Sequence, residues 1–137
     1  MTGNTTPRIS FHSTGLKHTP LQKDEPLVLP DVFTNHGNAY NPITGVFVAP
    51  VNGTYFFAGS TETENIADMT QNVAEMSLVV DGRFVHFVNT YGGYQAGSVH
   101  AVVDLHVGQQ VWLNCYGASY FWDLPTAFSG FLISSDP

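Results

Sequence analysis

Residues 35–57 read NHGNAYNPITGVFVAPVNGTYFF, and this stretch decides the fold. It contains two short apolar runs, 46–49 and 55–58, separated by Pro-Val-Asn-Gly and one threonine. Short runs rich in β-branched and aromatic residues and bounded by Gly, Pro and Asn are typical of β-strands. The Asn52-Gly53 pair between these runs predicts a hairpin turn, because both residues tolerate a positive φ.

The rest of the chain continues the alternation of apolar and polar residues. Apolar side chains alternate within 76–80, 84–88, 99–107 and 111–115, and Asp81-Gly82 predicts a second hairpin. The last strand is predicted at 128–133, and no segment has a sustained helical stripe. About eight to ten short strands separated by turn signals predict an all-β sandwich, jelly roll or barrel.

Composition and charge argue against several classes of protein. The 137 residues are the length of one domain. Four Lys and Arg residues stand against eleven Asp and Glu residues, which gives a formal net charge of −7. Binding to nucleic acid or to anionic membranes requires clustered cations, so neither partner is expected. No segment is apolar for long enough to be inserted in a membrane, and the first residues lack a signal-peptide pattern.

The single cysteine, Cys115, allows no internal disulfide. Val111, Leu113 and Cys115 share one face of a predicted strand, which favours a small buried side chain at position 115. An interchain disulfide or a reactive thiol is the alternative.

Six histidines raise the question of catalysis. His100 and Asp104 share one face of a predicted strand, but they lie about 13 Å apart along it, too far for one metal ion or one proton relay. His86 alternates with apolar residues and is expected to be a satisfied or interfacial side chain. The sequence contains no nucleophile elbow, phosphate loop, zinc motif or paired carboxylates, so no enzymatic activity is predicted.

Several separated blocks of the sequence resemble the globular head domain of the complement C1q family. The stretch 35–57 is similar to the family pattern TN.GN.YDP.TGVF.AP..G.YFF, with Asn41 where the family often has Asp. The blocks 8–11 (RISF), 107–113 (VGQQVWL) and 128–133 (FSGFLI) are similar to other strands of that family. The resemblance implies an all-β, ten-stranded jelly-roll sandwich of the C1q/TNF-like type at residues 8–137, after a flexible tail at 1–7.

The resemblance also implies how the domain assembles. Members are typically homotrimers, and three-fold assembly would bury one apolar sheet face around the axis. No Gly-X-Y repeat precedes the domain, which indicates a stalkless member. Aromatic residues of the matched blocks are expected in the core or at a subunit interface: Phe47, Tyr55, Phe57, Trp112, Phe128 and Phe131.

Calcium is the one cofactor that the resemblance raises. Some members bind calcium through an acidic loop between late strands. The matching stretch here, 89–95, has no carboxylate. Calcium prefers several oxygen ligands, usually including carboxylates. No metal or other cofactor is therefore expected.

Two predicted loops combine aromatic rings with neutral polar groups and are the candidate ligand sites. One carries Tyr91 and Tyr94, and the other carries Tyr120, Trp122 and Asp123. Flat rings beside hydrogen-bonding groups suit sugars, and loops held by rigid sheets commonly carry binding sites. The alternative is that these rings cover the core or pack on a neighbouring subunit.

Asn4 and Asn52 each begin an Asn-X-Thr sequence, the acceptor pattern for N-linked glycans. With the resemblance, these features predict a secreted, extracellular trimer that recognises glycans or repeated microbial surface ligands in innate immunity. The alternative is a ligand of a protein receptor, like the tumour necrosis factor and cerebellin members of the superfamily. A self-assembling structural protein is a third hypothesis.

Overall fold

The computed structural model describes residues 6–17, 21–63, 73–91, 95–117, 119, 121 and 125–136. Within these residues the chain forms ten β-strands and no helix. The strands, in chain order, are β1 (Ser10–Thr14), β2 (Asp31–His36), β3 (Tyr40–Asn41), β4 (Val46–Val48), β5 (Gly53–Glu62), β6 (Val73–Val80), β7 (Arg83–Tyr91), β8 (Ala96–Leu105), β9 (Gln110–Cys115) and β10 (Ala127–Ser135).

The strands form two antiparallel sheets of five strands each. Sheet 1 has the order β2-β1-β10-β5-β8, and sheet 2 has the order β3-β4-β9-β6-β7. The first and last strands are neighbours, since Ser10 of β1 pairs with Phe131 of β10. The chain passes repeatedly from one sheet to the other, as in a jelly roll. The predicted ten-stranded all-β sandwich is confirmed.

Aromatic rings fill the space between the two sheets. Phe11 stacks on Tyr40 with ring centroids 4.8 Å apart, and Phe47 meets Phe57 edge-on at 5.0 Å. Phe128 meets Phe11 edge-on at 4.9 Å. Such pairs add about 0.5–1.5 kcal/mol each beyond the burial of their area. Four of the aromatic residues expected in the core or at an interface are fully buried here: Phe47, Tyr55, Phe57 and Phe128.

The side-chain amide of Asn35 shapes the turn between β2 and β3. The Nδ2 of Asn35 donates to the Tyr40 carbonyl over 2.7 Å, and the Tyr40 N–H donates back to Oδ1 of Asn35 over 3.2 Å. Between them Gly37 and Asn38 adopt φ values of 89° and 53°, which glycine and asparagine tolerate best. This turn joins β2 of sheet 1 to β3 of sheet 2, so it carries the chain between the sheets.

The two predicted hairpins have different outcomes. Asp81 and Gly82 have φ values of 51° and 85° and join β6 directly to β7, as predicted. The prediction of a hairpin at Asn52-Gly53 is wrong, because the flanking strands do not pair: β4 lies in sheet 2 and β5 lies in sheet 1. A Cβ at Gly53 would lie 2.5 Å from the carbonyl oxygen of Ser134. Glycine is thus required there by the approach of β10.

Candidate functional site

Tyr91 is the one predicted ligand residue that lies within the described part of the chain. It is the last residue of β7 rather than a loop residue, and 59% of its surface is exposed. Its backbone N–H donates to the side-chain oxygen of Gln95. The ring is therefore accessible to a ligand. Tyr94, Tyr120, Trp122 and Asp123 lie outside the described residues, so ligand binding by the two loops stays a prediction.

Asn52 is exposed and precedes β5. Its Oδ1 accepts a hydrogen bond from the Val107 N–H over 2.8 Å, and its carbonyl accepts one from the Asp136 N–H over 2.9 Å. The first bond orients the side chain and the second fixes its backbone, and neither engages Nδ2, the atom to which a glycan is attached. Asn4 lies outside the described residues. Glycosylation at both positions stays a prediction.

A pair of histidines links the two sheets along one side of the sandwich. Nδ1 of His86 on β7 accepts a hydrogen bond from the His100 N–H on β8 over 2.9 Å. The two rings are nearly perpendicular, with centroids 5.0 Å apart. Asp104 accepts instead from the Thr54 hydroxyl over 2.7 Å. These contacts satisfy His86, as predicted, and give Asp104 a structural partner.

No group of three His, Cys, Asp or Glu side chains with metal-binding geometry occurs in the described ranges of the chain. The expectation that no cofactor is needed stays a prediction.

Cys115 is a free thiol and is fully buried, as the strand pattern predicts. Its Sγ donates to the carbonyl of Gly117 over 2.7 Å. Burial raises the pKa of this thiol above its ordinary value of 9.0, and hydrogen bonds to Ser119 and Gly117 lower it by less. Since the thiolate is the reactive form of cysteine, this environment disfavours nucleophilic chemistry.

We expect the free energy of unfolding to fall as the pH rises above about 9. Burial raises the pKa of Cys115, and it also raises the pKa of Tyr40 and Tyr55 above 10.0. The folded protein keeps protons that the unfolded chain releases, so this stabilisation is complete below the unfolded pKa values. It is lost as the pH rises through the folded values. Urea titrations over this alkaline range measure the decline, and Cys115→Ala should remove its first part. A urea midpoint that stays the same over this pH range would contradict the expectation.

The outer face of sheet 1 carries an apolar strip, here called the outer strip and formed by Phe56, Val102, Phe131 and Ile133. Phe131, Phe56 and Val102 are neighbours across β10, β5 and β8. The rings of Phe56 and Phe131 lie 5.6 Å apart, and Phe131 and Val102 remain 46% and 62% exposed. Contiguous exposed apolar side chains of this kind are a candidate interaction surface. Phe131, which was predicted to lie in the core or at an interface, therefore lies outside the core.

The outer face of sheet 2 carries a groove of about 430 Å³, here called the β9 groove. Its lining residues are Asp24, Pro26, Val46, Val79, Gly82, Phe84, Gln110, Trp112 and Asn114. Trp112 is half-buried in this groove and is not part of the aromatic core. This groove was not predicted, because the segment 24–26 that forms one side of it has no strand pattern in the sequence.

Comparison with known proteins identifies the family. The family model described as the C1q domain matches residues 11–133. The chain belongs to the C1q domain family. Proteins with this domain are ligand-binding proteins rather than enzymes. None of the elements described for this C1q domain is a helix that could cross a membrane.

Two human proteins illustrate the relationship. Complement C1q tumor necrosis factor-related protein 3 of Homo sapiens is 32% identical over 113 residues, covering 78% of this chain and 44% of that protein. A complement C1q subcomponent of Homo sapiens is 27% identical over 139 residues, covering 96% of this chain and 52% of that protein. The chain thus spans about half the length of the curated relatives it matches.

Two solved structures share the fold of this C1q domain. The globular domain of zebrafish complement 1qA protein has a TM-score of 0.72 and 21% identity, covering 93% of this chain and 99% of that one. Eiger TNF from S. frugiperda has a TM-score of 0.71 and 14% identity, covering 96% of each chain. These likenesses confirm the C1q/TNF-like type of jelly roll.

Proposed function

We propose that this C1q domain is an extracellular, non-enzymatic recognition protein of innate immunity. In this proposal it acts as a homotrimer that binds glycans or other repeated ligands on microbial surfaces. The observation that carries the proposal is the outer strip, an apolar surface on one sheet of a domain from a ligand-binding family. A strip of this kind is suited to pack against further copies of the chain, which leaves sheet 2 and the loops free for ligands.

Trimer formation would strengthen weak binding. Three identical sites on one particle convert the second and third binding events into intramolecular ones, so avidity exceeds the affinity of each site. This arrangement suits ligands that repeat across a surface. The proposed ligand-binding residues remain Tyr91, at the end of β7, together with Tyr94, Tyr120, Trp122 and Asp123.

The charge of the chain supports neutral rather than anionic ligands. The formal net charge is −7, and the chain contains four Lys and Arg residues. Polyanions such as nucleic acids would meet repulsion without compensating cations. Neutral glycans carry no such penalty.

The purified protein should bind a subset of an array of glycans and microbial polysaccharides, applied both with calcium and with a chelator. Binding that is equal in the two conditions is expected, since no calcium site is proposed. Binding that disappears with the chelator would overturn the proposal that no cofactor is needed. A blank array obtained with correctly folded trimers would overturn the glycan proposal.

A protein receptor is the second candidate ligand. The observation that favours it is the relation to a protein named as tumor necrosis factor-related, together with the fold shared with Eiger TNF. It predicts a blank glycan array and saturable, trimer-dependent binding to cells that is abolished when surface proteins are digested.

A further inference from the structure

The floor of the β9 groove is built from alternate residues of one strand. Gln110, Trp112 and Asn114 all line the groove, whereas Val111 and Leu113 between them are fully buried in the core. Successive side chains of a strand point to opposite faces of the sheet, so the three floor residues project together. The floor therefore places one indole ring between two side-chain amides.

The walls of the β9 groove come from both sides of β9. On one side the segment 24–27 runs along the strand, with the Leu27 N–H donating to the Leu113 carbonyl over 2.9 Å and the Cys115 N–H donating to the Glu25 carbonyl over 2.8 Å. On the other side stands Phe84 of β7, whose side chain is 49% exposed. A second aromatic ring thus borders the floor.

Asn114 is the unusual member of this set, because it is buried and incompletely bonded. Its exposed fraction is 6%. Its Nδ2 has a long hydrogen bond of 3.4 Å to the Cys115 carbonyl, and its Oδ1 accepts none from any described residue. Buried polar atoms in native proteins nearly always have partners, so an oxygen without one among the described residues can accept from a donor in the groove. A hydroxyl donor at this place would satisfy Oδ1.

We propose that the β9 groove binds one pyranose ring of a neutral glycan. The apolar face of a pyranose suits the rings of Trp112 and Phe84, and its hydroxyls can donate to Oδ1 of Asn114 and accept from the Gln110 amide. The volume of about 430 Å³ lies within the range of small-molecule sites, which combine apolar walls with a few convergent polar groups. Asp24 is the one charged residue among the lining residues, so an anionic sugar is disfavoured.

This inference deepens the proposed function and rests on it, since it assigns glycan binding to a particular surface. The groove lies on sheet 2, and the outer strip lies on the opposite side of the sandwich, on sheet 1. A trimer joined through the outer strip would therefore leave all three grooves at its periphery. It would carry three sites formed by residues other than the predicted ligand residues Tyr120, Trp122 and Asp123.

Fluorine NMR on the full chain labelled with 5-fluorotryptophan tests the site directly. The protein has two tryptophans, so two resonances are expected, and Trp122→Phe assigns them. The probes are methyl pyranosides of glucose, mannose, galactose and N-acetylglucosamine, with choline chloride as a cationic comparison. At least one pyranoside should shift the Trp112 resonance saturably. Gln110→Ala should weaken that binding about fivefold through the loss of one hydrogen bond, whereas Gln22→Ala, at an exposed glutamine outside the groove, should leave it unchanged.

The outcomes separate this inference from the function it rests on. If glycans bind on the array but the pyranosides shift neither resonance, or shift that of Trp122 alone, the groove is wrong and the glycan function stands. If choline shifts the Trp112 resonance and no pyranoside does, the groove takes a cation and the inference is wrong. If the array is blank and neither resonance moves, both proposals fail.

Discussion

Truncation of Phe57 to alanine is expected to lower the free energy of unfolding by about 3–5 kcal/mol. The ring is fully buried and contacts Phe47, Tyr55 and Phe128 in the core. The loss combines the transfer free energy of the ring with the cavity that its neighbours cannot close. Domains of this size are stable by about 5–15 kcal/mol, so the variant should be close to the limit of folding. Urea unfolding followed by circular dichroism measures the change.

Phe87→Ala is the matched control, because the same ring is removed from a position that is 60% exposed. Its expected cost is below about 1 kcal/mol, as for most surface substitutions. Equal losses in the free energy of unfolding for Phe57→Ala and Phe87→Ala would contradict the burial of Phe57 in the core.

Gly130→Ala provides a second check on the same contact. A Cβ at Gly130 would lie 2.5 Å from the Phe57 ring, so the substitution alone should cost about 1–3 kcal/mol by overpacking. In the Phe57→Ala background the clash with that ring is gone, and a contact of 2.8 Å with the Phe11 ring remains. The double variant should therefore lose less stability than the sum of the losses in the two single variants.

Substitution of Phe131 by glutamate is expected to convert the proposed trimer into monomers. A carboxylate at the centre of the outer strip would have to be buried without a partner in each of three subunits. Its side chain would replace the ring that now lies 5.6 Å from Phe56. Sedimentation velocity or light scattering should show a mass three times that of one chain for the unmodified protein and the mass of one chain for Phe131→Glu.

Phe84→Glu is the control, because it introduces the same charge at an apolar position on the other sheet. Phe84 is 49% exposed, almost the same as Phe131 at 46%, but it lies on sheet 2. We expect the Phe84→Glu protein to remain trimeric. A trimer that survives Phe131→Glu but dissociates with Phe84→Glu would place the interface on sheet 2 and overturn the proposed assembly.

The alternation of apolar residues predicted the strands well, because burial on one side of a sheet imposes a period of two on the sequence. Val111, Leu113 and Cys115 are buried as that pattern requires. The pattern does not say which sheet a strand enters. The prediction of a hairpin at Asn52-Gly53 was wrong for this reason. The same turn residues occur whether the next strand pairs with the preceding one or crosses to the other sheet.

Trp112 shows why the β9 groove could not be predicted. Its place in a matched strand indicated a core or interface residue, but position 112 has the opposite parity to Val111, Leu113 and Cys115, the buried apolar residues of β9. The groove around it also depends on the segment 24–27, which lies more than eighty residues away in the chain and binds β9 through backbone groups. Backbone hydrogen bonds leave no mark in the side-chain pattern.

The pairing of the first strand with the last has a consequence for how the chain folds. β10 lies in the middle of sheet 1, between β1 and β5, so this sheet cannot be completed until the whole domain has been synthesised. Folds dominated by such distant pairings fold slowly, on the order of milliseconds to seconds. Until β10 arrives, the edges of β1 and β5 stay open, and a nascent chain in this state is prone to aggregate. Efficient production of the domain should therefore depend on keeping β10 intact.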